Sequence, residues 1–381
     1  VRITLAICGL SFFSISRNIG VSILIKSLYF YAVKIHEKYM LRCIQLAKNG
    51  LGTTYPNPLV GSVIVHNDRI IGEGWHYRAG LPHAEVNAIA SVSEVDLLKE
   101  ATLYVSLEPC SHFGKTPPCA DLIIESGIKK VVVGSLDPNP KVAGRGIKRL
   151  MEAGCEVIVG VLHTECDILN KRFFTFHQKK RPYIFLKWAQ TADGFIAPRD
   201  ETRNGTKPVW ITNEFSRQLV HKMRAEEQAI LVGTTTVLQD NPSLTVREWA
   251  GENPTRIVID RNLKIPEHFS VFDSSSKTIV FNETESKTSK NIDFESIDFS
   301  EEIPQQICAA LFRRDIQSVI IEGGAKTLQT FINADLWDEA FVFQGKNRFG
   351  EGIEAPIFKG VHVSEEKIKD DTLRIFKNEN S

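Results

Sequence analysis

The sequence predicts an α/β protein of two domains, and three observations carry that expectation. Short apolar runs of strand character alternate with helical stretches along nearly the whole chain. The alternation is interrupted once, at the charged run Gln178-Lys179-Lys180-Arg181-Pro182, and then restarts. At 381 residues the chain can supply two or three domains, each with an ordinary core. Alternating β and α units imply sheets with helices packed on them.

Residues 1–33 stand apart from this pattern. The apolar run over 3–13 follows Arg2 and superficially resembles a signal-peptide core. Arg17 and Lys26 interrupt it well short of the roughly 20 residues that span a membrane. We expect a dispensable extension over 1–33 and no membrane partner, the alternative being a targeting or membrane-associated segment. From residue 34 onward, Met40, Cys43, Ile44 and Ala47 recur at helical spacing, and Asn49-Gly50 supplies a stop. Residues 62–65 and 69–74 read as strands of a hairpin around His66-Asn67-Asp68. Pro82 suits the first turn of a helix carrying Ala84, Val86, Ala88 and Ile89. Strands at 102–106, 130–134 and 156–161 then alternate with helices near 119–127 and 145–153. Beyond the charged run, strands are expected near 183–189, 228–232, 255–260, 277–281, 317–321 and 338–343. Helices are expected near 213–225, 303–313 and 325–333. Residues 283–302 are polar and acidic and read as a surface excursion.

Lys+Arg and Asp+Glu are both 46, so the formal net charge is zero. That balance argues against wholesale nucleic-acid binding and leaves room for a local basic phosphate site. The seven cysteines are irregularly spaced and fit no secreted disulfide framework. A reducing cytoplasmic setting is expected, with clustered cysteines free for metal chemistry. Cys8, Cys43, Cys155, Cys166 and Cys308 lack neighbours at ligand spacing and read as small buried hydrophobes.

The strongest local signal is His83-Ala84-Glu85, followed by Pro109-Cys110 and then Cys119. One imidazole and two thiolates suit tetrahedral Zn²⁺ with a fourth position left for water. Zinc lowers the pKa of such a water to about 7, making hydroxide available at neutral pH. Hydroxide attack on an amidine-type ring carbon needs a proton carrier, and Glu85 sits beside a ligand without being one. The spacing departs from the usual H-x-E…P-C-x-x-C pattern of zinc nucleobase deaminases, because Ser111 to Pro118 separate the two cysteines. A closed structural zinc site with His112 as fourth ligand is the alternative, and it leaves Glu85 without a purpose.

The stretch Glu108-Pro-Cys-Ser-His-Phe-Gly-Lys-Thr-Pro-Pro-Cys119 closely resembles the pyrimidine deaminase domain of bacterial bifunctional riboflavin enzymes. Pro56-Asn-Pro-Leu-Val-Gly61, Pro82-His-Ala-Glu85, Asp137-Pro-Asn-Pro140 and Ala143-Gly-Arg-Gly146 resemble further blocks of that family, in its order. The resemblance implies a cytidine-deaminase-like three-layer α/β/α domain. It also implies that Asn57, Lys115 and Asn139 contact the substrate's base and phosphoribosyl part. Amides can read ring edges and an ammonium can meet phosphate.

In the second half, no G-x-G-x-x-G opens a nucleotide fold. Ser318-Val-Ile-Ile-Glu-Gly-Gly-Ala-Lys-Thr327 runs from an apolar strand through two glycines into a helix, a turn whose amides can hold phosphate. Lys187-Trp-Ala-Gln-Thr-Ala-Asp-Gly194, Trp210-Ile-Thr212, Arg224-Ala225 and the run Thr234 to Arg247 resemble the reductase domain of the same enzymes. That resemblance implies a dihydrofolate-reductase-like fold and NADPH. Cofactor contacts then fall on Ala189, Trp210, Thr236 and Asp240, and on the turn Gly324, Ala325, Lys326, Thr327, Leu328, Gln329 and Thr330. Substrate contacts fall on Arg224, Leu244, Arg247 and Glu322, and two guanidiniums suit a sugar phosphate. Thr191 stands where that family more often has Ser. Pro208 replaces a hydroxyl residue that often meets substrate, so no contact is carried there. Read without the family, Trp210 is simple core and Arg224 an exposed helix charge.

The linked reading is a bifunctional enzyme of riboflavin biosynthesis, with a zinc deaminase over 34–180 and an NADPH-dependent reductase over 181–381. The resemblance implies deamination of 2,5-diamino-6-(5-phosphoribosylamino)pyrimidin-4(3H)-one, then reduction of the ribosylamino group of the resulting uracil to ribitylamino. The partners implied are these small pyrimidine ribosyl phosphates, without nucleic acid or membrane; a homo-oligomer stays open. The halves are expected to act independently of one another. One rival is a zinc nucleobase deaminase on another substrate with a nucleotide-binding second domain. Another is a non-catalytic zinc and nucleotide sensor, which would have no use for Glu85, Asp240 and Glu322.

Overall fold

The computed structural model describes residues 34–111, 117–139, 143–199 and 209–380. The expected extension over 1–33, together with His112, Lys115 and Pro208, lies outside these residues.

The first half is one five-stranded sheet between two helical layers. A helix over 34–47 (α1) leads to β1 (Gly61–His66) and β2 (Arg69–Trp75). Then come α2 (Ala84–Ala90), β3 (Thr102–Leu107), α3 (Cys119–Glu125), β4 (Lys130–Ser135), α4 (Arg145–Glu152) and β5 (Glu156–Val159). Helices α5 (His163–Leu169) and α6 (Lys171–Lys179) close the half. The strand order is β2-β1-β3-β4-β5. Strand alternation explains the layering. Val63 and Val65 pack with Tyr39, Met40 and Cys43 of α1 on one face. Ile64 between them points to the other face, towards Ala88, Ala120, Ile123 and Leu150 of α2, α3 and α4. The helical spacing of Met40, Cys43, Ile44 and Ala47 is thus the buried stripe of α1.

The second half is a ten-stranded sheet. Its elements are β6 (Tyr183–Gln190), β7 (Phe195–Ala197), α7 (Glu214–Glu226), β8 (Ala229–Gly233), α8 (Thr234–Asp240), β9 (Thr255–Ile259) and β10 (Thr278–Asn282). They continue with β11 (Lys287–Ser289), β12 (Ile292–Ser296), α9 (Ile303–Arg313), β13 (Ser318–Glu322), α10 (Ala325–Asn333) and β14 (Glu339–Gln344). Last are β15 (Ile353–Glu354), β16 (Val361–Ile368) and β17 (Asp371–Lys377). The order is β11-β12-β10-β9-β8-β13-β6-β14-β17-β16, with β7 and β15 forming a separate pair. The strands from β12 to β14 run parallel, and antiparallel β11, β17 and β16 finish the edges. Ile184, Leu186 and Trp188 of β6 face α9 and α10, whereas Tyr183 and Phe185 face α7. Because the central strands are parallel, their C-terminal ends, and the loops that follow, lie at one edge of the sheet. Ligand sites of open α/β sheets lie at that edge.

Two expectations are corrected. Residues 283–302 are not merely a surface excursion, for they contain β11 and β12. The α2 helix starts at Ala84 with His83 as its N-cap, so Pro82 lies just outside the first turn.

Candidate active sites

Three elements bring the expected metal donors together. His83 caps α2, Cys110 follows β3 and Cys119 opens α3. Their ligand atoms all lie within 4.8 Å of one another. His83 Nδ1 is 3.3 Å from Cys119 Sγ and 3.6 Å from Cys110 Sγ. Nitrogen and sulfur donors at ordinary zinc bond lengths on a tetrahedron are separated by about 3.6 Å, so the two separations from His83 suit that ion. Hydrogen bonding to Cys119 pushes Cys110 down, and the same bond together with burial pushes Cys119 up. A divalent ion among these donors would favour both as thiolates. The backbone N–H of Cys119 also donates to Cys110 Sγ at 3.3 Å, and the Ala120 N–H to the Cys110 carbonyl at 3.1 Å. The two cysteines are thereby locked despite their separation in sequence.

Helix α2 reaches this position because it lies almost on the backbone of β2. A Cβ on Gly74 would come within 2.4 Å of the Ala88 nitrogen and 2.6 Å of the Ala84 carbonyl oxygen, so only glycine admits the helix. That approach buries Glu85, which is 3% exposed, beside the donors. Burial pushes its carboxyl up to about 7, partly offset by His83. A carboxyl poised there can both take and return a proton near neutral pH.

His76, which the sequence reading passed over, connects Asn57 to this centre. Its ring stands edge-on to His83 at 5.3 Å, and it is buried. Nδ1 is 3.1 Å from the Pro82 carbonyl, an acceptor only, so Nδ1 carries the proton. Nε2 then accepts from the Asn57 Nδ2 amide at 3.0 Å, which fixes which way that amide faces. Burial holds His76 below the usual histidine range, consistent with a neutral ring. Glu108 was quoted only as part of a motif, and it too has a defined task. Its carboxylate accepts the N–H groups of Gly144 at 2.9 Å and Gly146 at 3.0 Å, and more weakly that of Asp137 at 3.3 Å. It thereby ties the loop after β4, which carries Asn139, to the strand end next to Cys110.

A second polar cluster gathers at the C-terminal end of β13. Glu322 accepts Lys187 Nζ at 2.7 Å through one oxygen and Arg224 Nη2 at 2.9 Å through the other. Arg224 is therefore not an exposed helix charge: only 11% of its side chain is accessible. Its Nη1 reaches the Thr245 carbonyl at 3.4 Å, bringing up the loop that carries Leu244 and Arg247. Arg247 donates to the Ser243 hydroxyl and, at 3.0 Å, to the Thr245 hydroxyl. Leu244 is buried with φ +56°, an unfavourable conformation for leucine at the bend that aims Arg247. Burial, and the neighbouring charge of Arg224, push the Arg247 guanidinium down. The two guanidiniums repel one another, and an anion bound beside them would relieve that repulsion. Lys187 was quoted in a motif but given no role; its partner is 135 residues away in sequence.

The glycine turn meets α8. Thr236 Oγ1 accepts the Gly324 N–H at 3.0 Å, so the expected cofactor residues after β8 and β13 are neighbours. Asp240 ends α8, and Ala189 lies on the Lys187 face of β6. Trp210 is 57% exposed rather than core, with the Arg217 guanidinium 4.7 Å from its ring centre. Ala325, Lys326 and Thr327 form the first turn of α10. Beyond them, Leu328 is buried in the core, and Thr330 donates to the Lys326 carbonyl. The Gln329 amide nitrogen donates to Asn333 and to the Ile357 carbonyl. Thr191 is fully buried, with its hydroxyl accepting the Phe195 N–H at 3.0 Å and donating to Asp193 at 2.5 Å.

Comparison with known proteins matches each half of the chain to a known domain. Residues 33–135 match the cytidine and deoxycytidylate deaminase zinc-binding region, and residues 182–379 match the RibD C-terminal domain. The riboflavin biosynthesis protein RibD of Aquifex aeolicus is 42% identical over 344 residues, 88% of this chain and 94% of that protein. RibD of Escherichia coli is 37% identical, over 81% of this chain and 86% of its own. Among solved structures, a diaminohydroxyphosphoribosylaminopyrimidine deaminase/5-amino-6-(5-phosphoribosylamino)uracil reductase from Thermotoga maritima superposes with a TM-score of 0.82. It is 41% identical, covering 91% of this chain and 99% of that one. With a zinc-type donor trio in the first half and a reductase domain in the second, the chain belongs to the RibD family of bifunctional riboflavin-biosynthesis deaminase–reductases.

Proposed function

We propose that residues 34–180 deaminate 2,5-diamino-6-(5-phosphoribosylamino)pyrimidin-4(3H)-one. Residues 181–381 then use NADPH to reduce 5-amino-6-(5-phosphoribosylamino)uracil to its ribitylamino form. The observation that carries the first step is Glu85, buried beside three donors at tetrahedral spacing. Zinc, when bound by His83, Cys110 and Cys119, supplies an activated water. Glu85 accepts a proton from that water and returns it to the departing amine, so that water and amidine become carbonyl and ammonia. Asn57, oriented by His76, and Asn139 read the ring and its substituents, with Lys115 meeting the phosphate.

For the second step, Ala189, Trp210, Thr236, Asp240 and the turn from Gly324 to Thr330 would hold NADPH, which when bound would supply a hydride to the sugar C1 as the bond from C1 to the ring oxygen opens and that oxygen takes a proton from water. Arg224 and Arg247 hold the substrate phosphate, and Leu244 shapes the loop that aims Arg247. Lys187 and Glu322 set a fixed ammonium–carboxylate pair beside them. The described cysteines form no disulfide, which suits a reducing cytoplasm. Among the described residues no helix is long and apolar enough to cross a membrane.

Incubating the protein with the diaminopyrimidine phosphate tests the reading. Ammonia should appear without NADPH, and NADPH should be consumed only after ammonia release; consumption at equal rate with NADH would remove the NADPH assignment. Metal analysis should find one zinc per chain, and the Cys110→Ser/Cys119→Ser double variant should retain none. Zinc that persists in that variant overturns the donor set. Arg247→Ala should raise the KM for the deaminated intermediate by roughly 10- to 100-fold, the scale of one or two charged hydrogen bonds, and leave ammonia release unchanged. An unaltered KM would place the phosphate elsewhere.

A further inference from the structure

The loop that carries Asn57 belongs to the first half of the chain, yet much of what holds it comes from the second. Gln317, at the start of β13, donates from Nε2 to the Pro56 carbonyl at 2.6 Å. Its own backbone is fully engaged, the N–H donating to Gln228 Oε1 at 2.8 Å and the carbonyl accepting the Tyr183 N–H at 2.8 Å. The side chain is therefore aimed from a fixed base, and the residue is buried. One residue earlier in the loop, the Tyr55 hydroxyl donates to the Glu226 carbonyl at the end of α7, 3.1 Å away, and lies 3.1 Å from Ser318 Oγ. Ser318 Oγ in turn accepts the Gln228 N–H at 3.0 Å. Where the loop begins, Gly52 passes so close to α7 that a Cβ would lie 2.2 Å from the Ala225 carbonyl oxygen.

The other side of Asn57 is held from within the first half. Asn170 accepts the Leu59 N–H and donates to the Leu59 carbonyl, both at 2.8 Å. The Asn57 N–H itself donates to the Thr54 carbonyl at 2.8 Å. Its side-chain amide is thus fixed by His76 on one side and by a backbone anchored at Pro56 and Leu59 on the other. The Pro56 anchor, like that of Tyr55, crosses between the halves.

We infer that Gln317 and Tyr55 are positioning residues for deamination, holding the Asn57 loop from the second half of the chain so that the reductase domain completes the substrate site of the deaminase. The inference rests on the reading of Asn57 as a substrate contact. Gln317 and Tyr55 touch no metal donor, and His83, Glu85 and Cys119 are placed by α2 and α3. Removing either anchor therefore acts on substrate recognition before it acts on chemistry. Displacement of a recognition group by about 1 Å can cost as much as 100-fold in rate, and loss of one neutral hydrogen bond costs roughly 2- to 10-fold.

The test uses the zinc-loaded full-length protein. Gln317→Met keeps the length of the side chain and removes its donor; Tyr55→Phe keeps the ring and removes the hydroxyl. Both are expected to raise the KM for deamination, by roughly 10-fold and 3-fold respectively, with kcat within about 2-fold of wild type. Zinc content and reduction of the pre-formed deaminated intermediate should not change. In an Asn57→Ala background, where KM is already raised, Gln317→Met should add nothing, because both act through one contact. A fall in kcat that tracks zinc loss would assign Gln317 a merely structural role and overturn the inference. So would additivity with Asn57→Ala, or wild-type KM in both anchor variants while Asn57→Ala raises it. Wild-type KM for Asn57→Ala removes the reading of Asn57 itself, and the inference with it. If Gln317→Met does not fold, the KM of Tyr55→Phe, alone and with Asn57→Ala, decides.

Discussion

Glu85→Gln is expected to slow ammonia release by roughly 10²- to 10⁴-fold or more, the range assigned to a positioned general acid–base group. The substitution keeps the shape of a side chain that is almost entirely buried. It removes the ability to accept a proton at one stage and return it at the next. The ligand atoms of His83, Cys110 and Cys119 lie within 4.8 Å of one another, and a glutamine side chain can still meet Cys119, the donor that Glu85 bonds, so zinc should remain at one per chain. Reduction of supplied deaminated intermediate should also continue at the wild-type rate, because Lys187 and Glu322 lie in the other sheet, on β6 and β13, and Arg224 lies on α7. The decisive measurement is ammonia release alongside metal content. Near wild-type release with full zinc would remove the proton-carrying role, and with it the reason to read this centre as catalytic rather than structural. Loss of zinc in Glu85→Gln would instead make Glu85 part of the metal support.

Both centres were legible in the sequence to different depths. The zinc trio and Glu85 were readable because residues of rare type sit close together along the chain, and each needs the others for its chemistry. The alternation of strands was readable because one-residue alternation separates Val63 and Val65 from Ile64, on opposite faces of a buried sheet. Strands β11 and β12 were missed for the opposite reason. They form an edge of the large sheet, where polar side chains suppress further pairing, so their sequences look like loop. Strand β16 is the other edge and is exposed almost throughout. Helices α5 and α6 were missed because charged and aromatic residues interrupt a short apolar stripe. His76, Lys187 and Gln317 take their meaning from partners such as Asn57, Glu322 and Pro56. Those partners lie 19, 135 and 261 positions away, and no local pattern announces such pairs. The expected independence of the halves is the reading this changes most. The buried clusters of the first half share no residue with those of the second, yet under the inference drawn here a first half cut at Lys180 would keep its zinc donors and lose an anchor of its substrate loop.

Glu322→Gln is expected to abolish most of the reductase activity, by roughly 10²-fold or more, and to destabilise the chain by about 3–5 kcal/mol, the usual cost of breaking a buried ion pair on one side. Glu322 is the shared acceptor of Lys187 and Arg224, and Arg247 bears on the same cluster. With the carboxylate gone, cations face one another in a buried setting, and the geometry of the proposed phosphate site is lost. Burial alone would raise the Glu322 carboxyl, but the charges of Arg224 and Lys187 outweigh it and hold the group at about 2. A carboxyl depressed in the folded state contributes stability that is present above its unfolded value, near 4.5, and lost as pH falls towards 2. The shift corresponds to something on the order of 3 kcal/mol, in line with the mutational cost. Wild type and Glu322→Gln should therefore differ most in denaturant unfolding at pH 7. The difference should narrow between pH 4.5 and the lowest pH at which the chain remains folded. Ammonia release by the variant at pH 7, measured where it is folded, should match wild type. A stability gap that stays constant down to pH 3 would mean that the Glu322 charge is not what holds Lys187 and Arg224 in place. The loss of reduction would then need another cause.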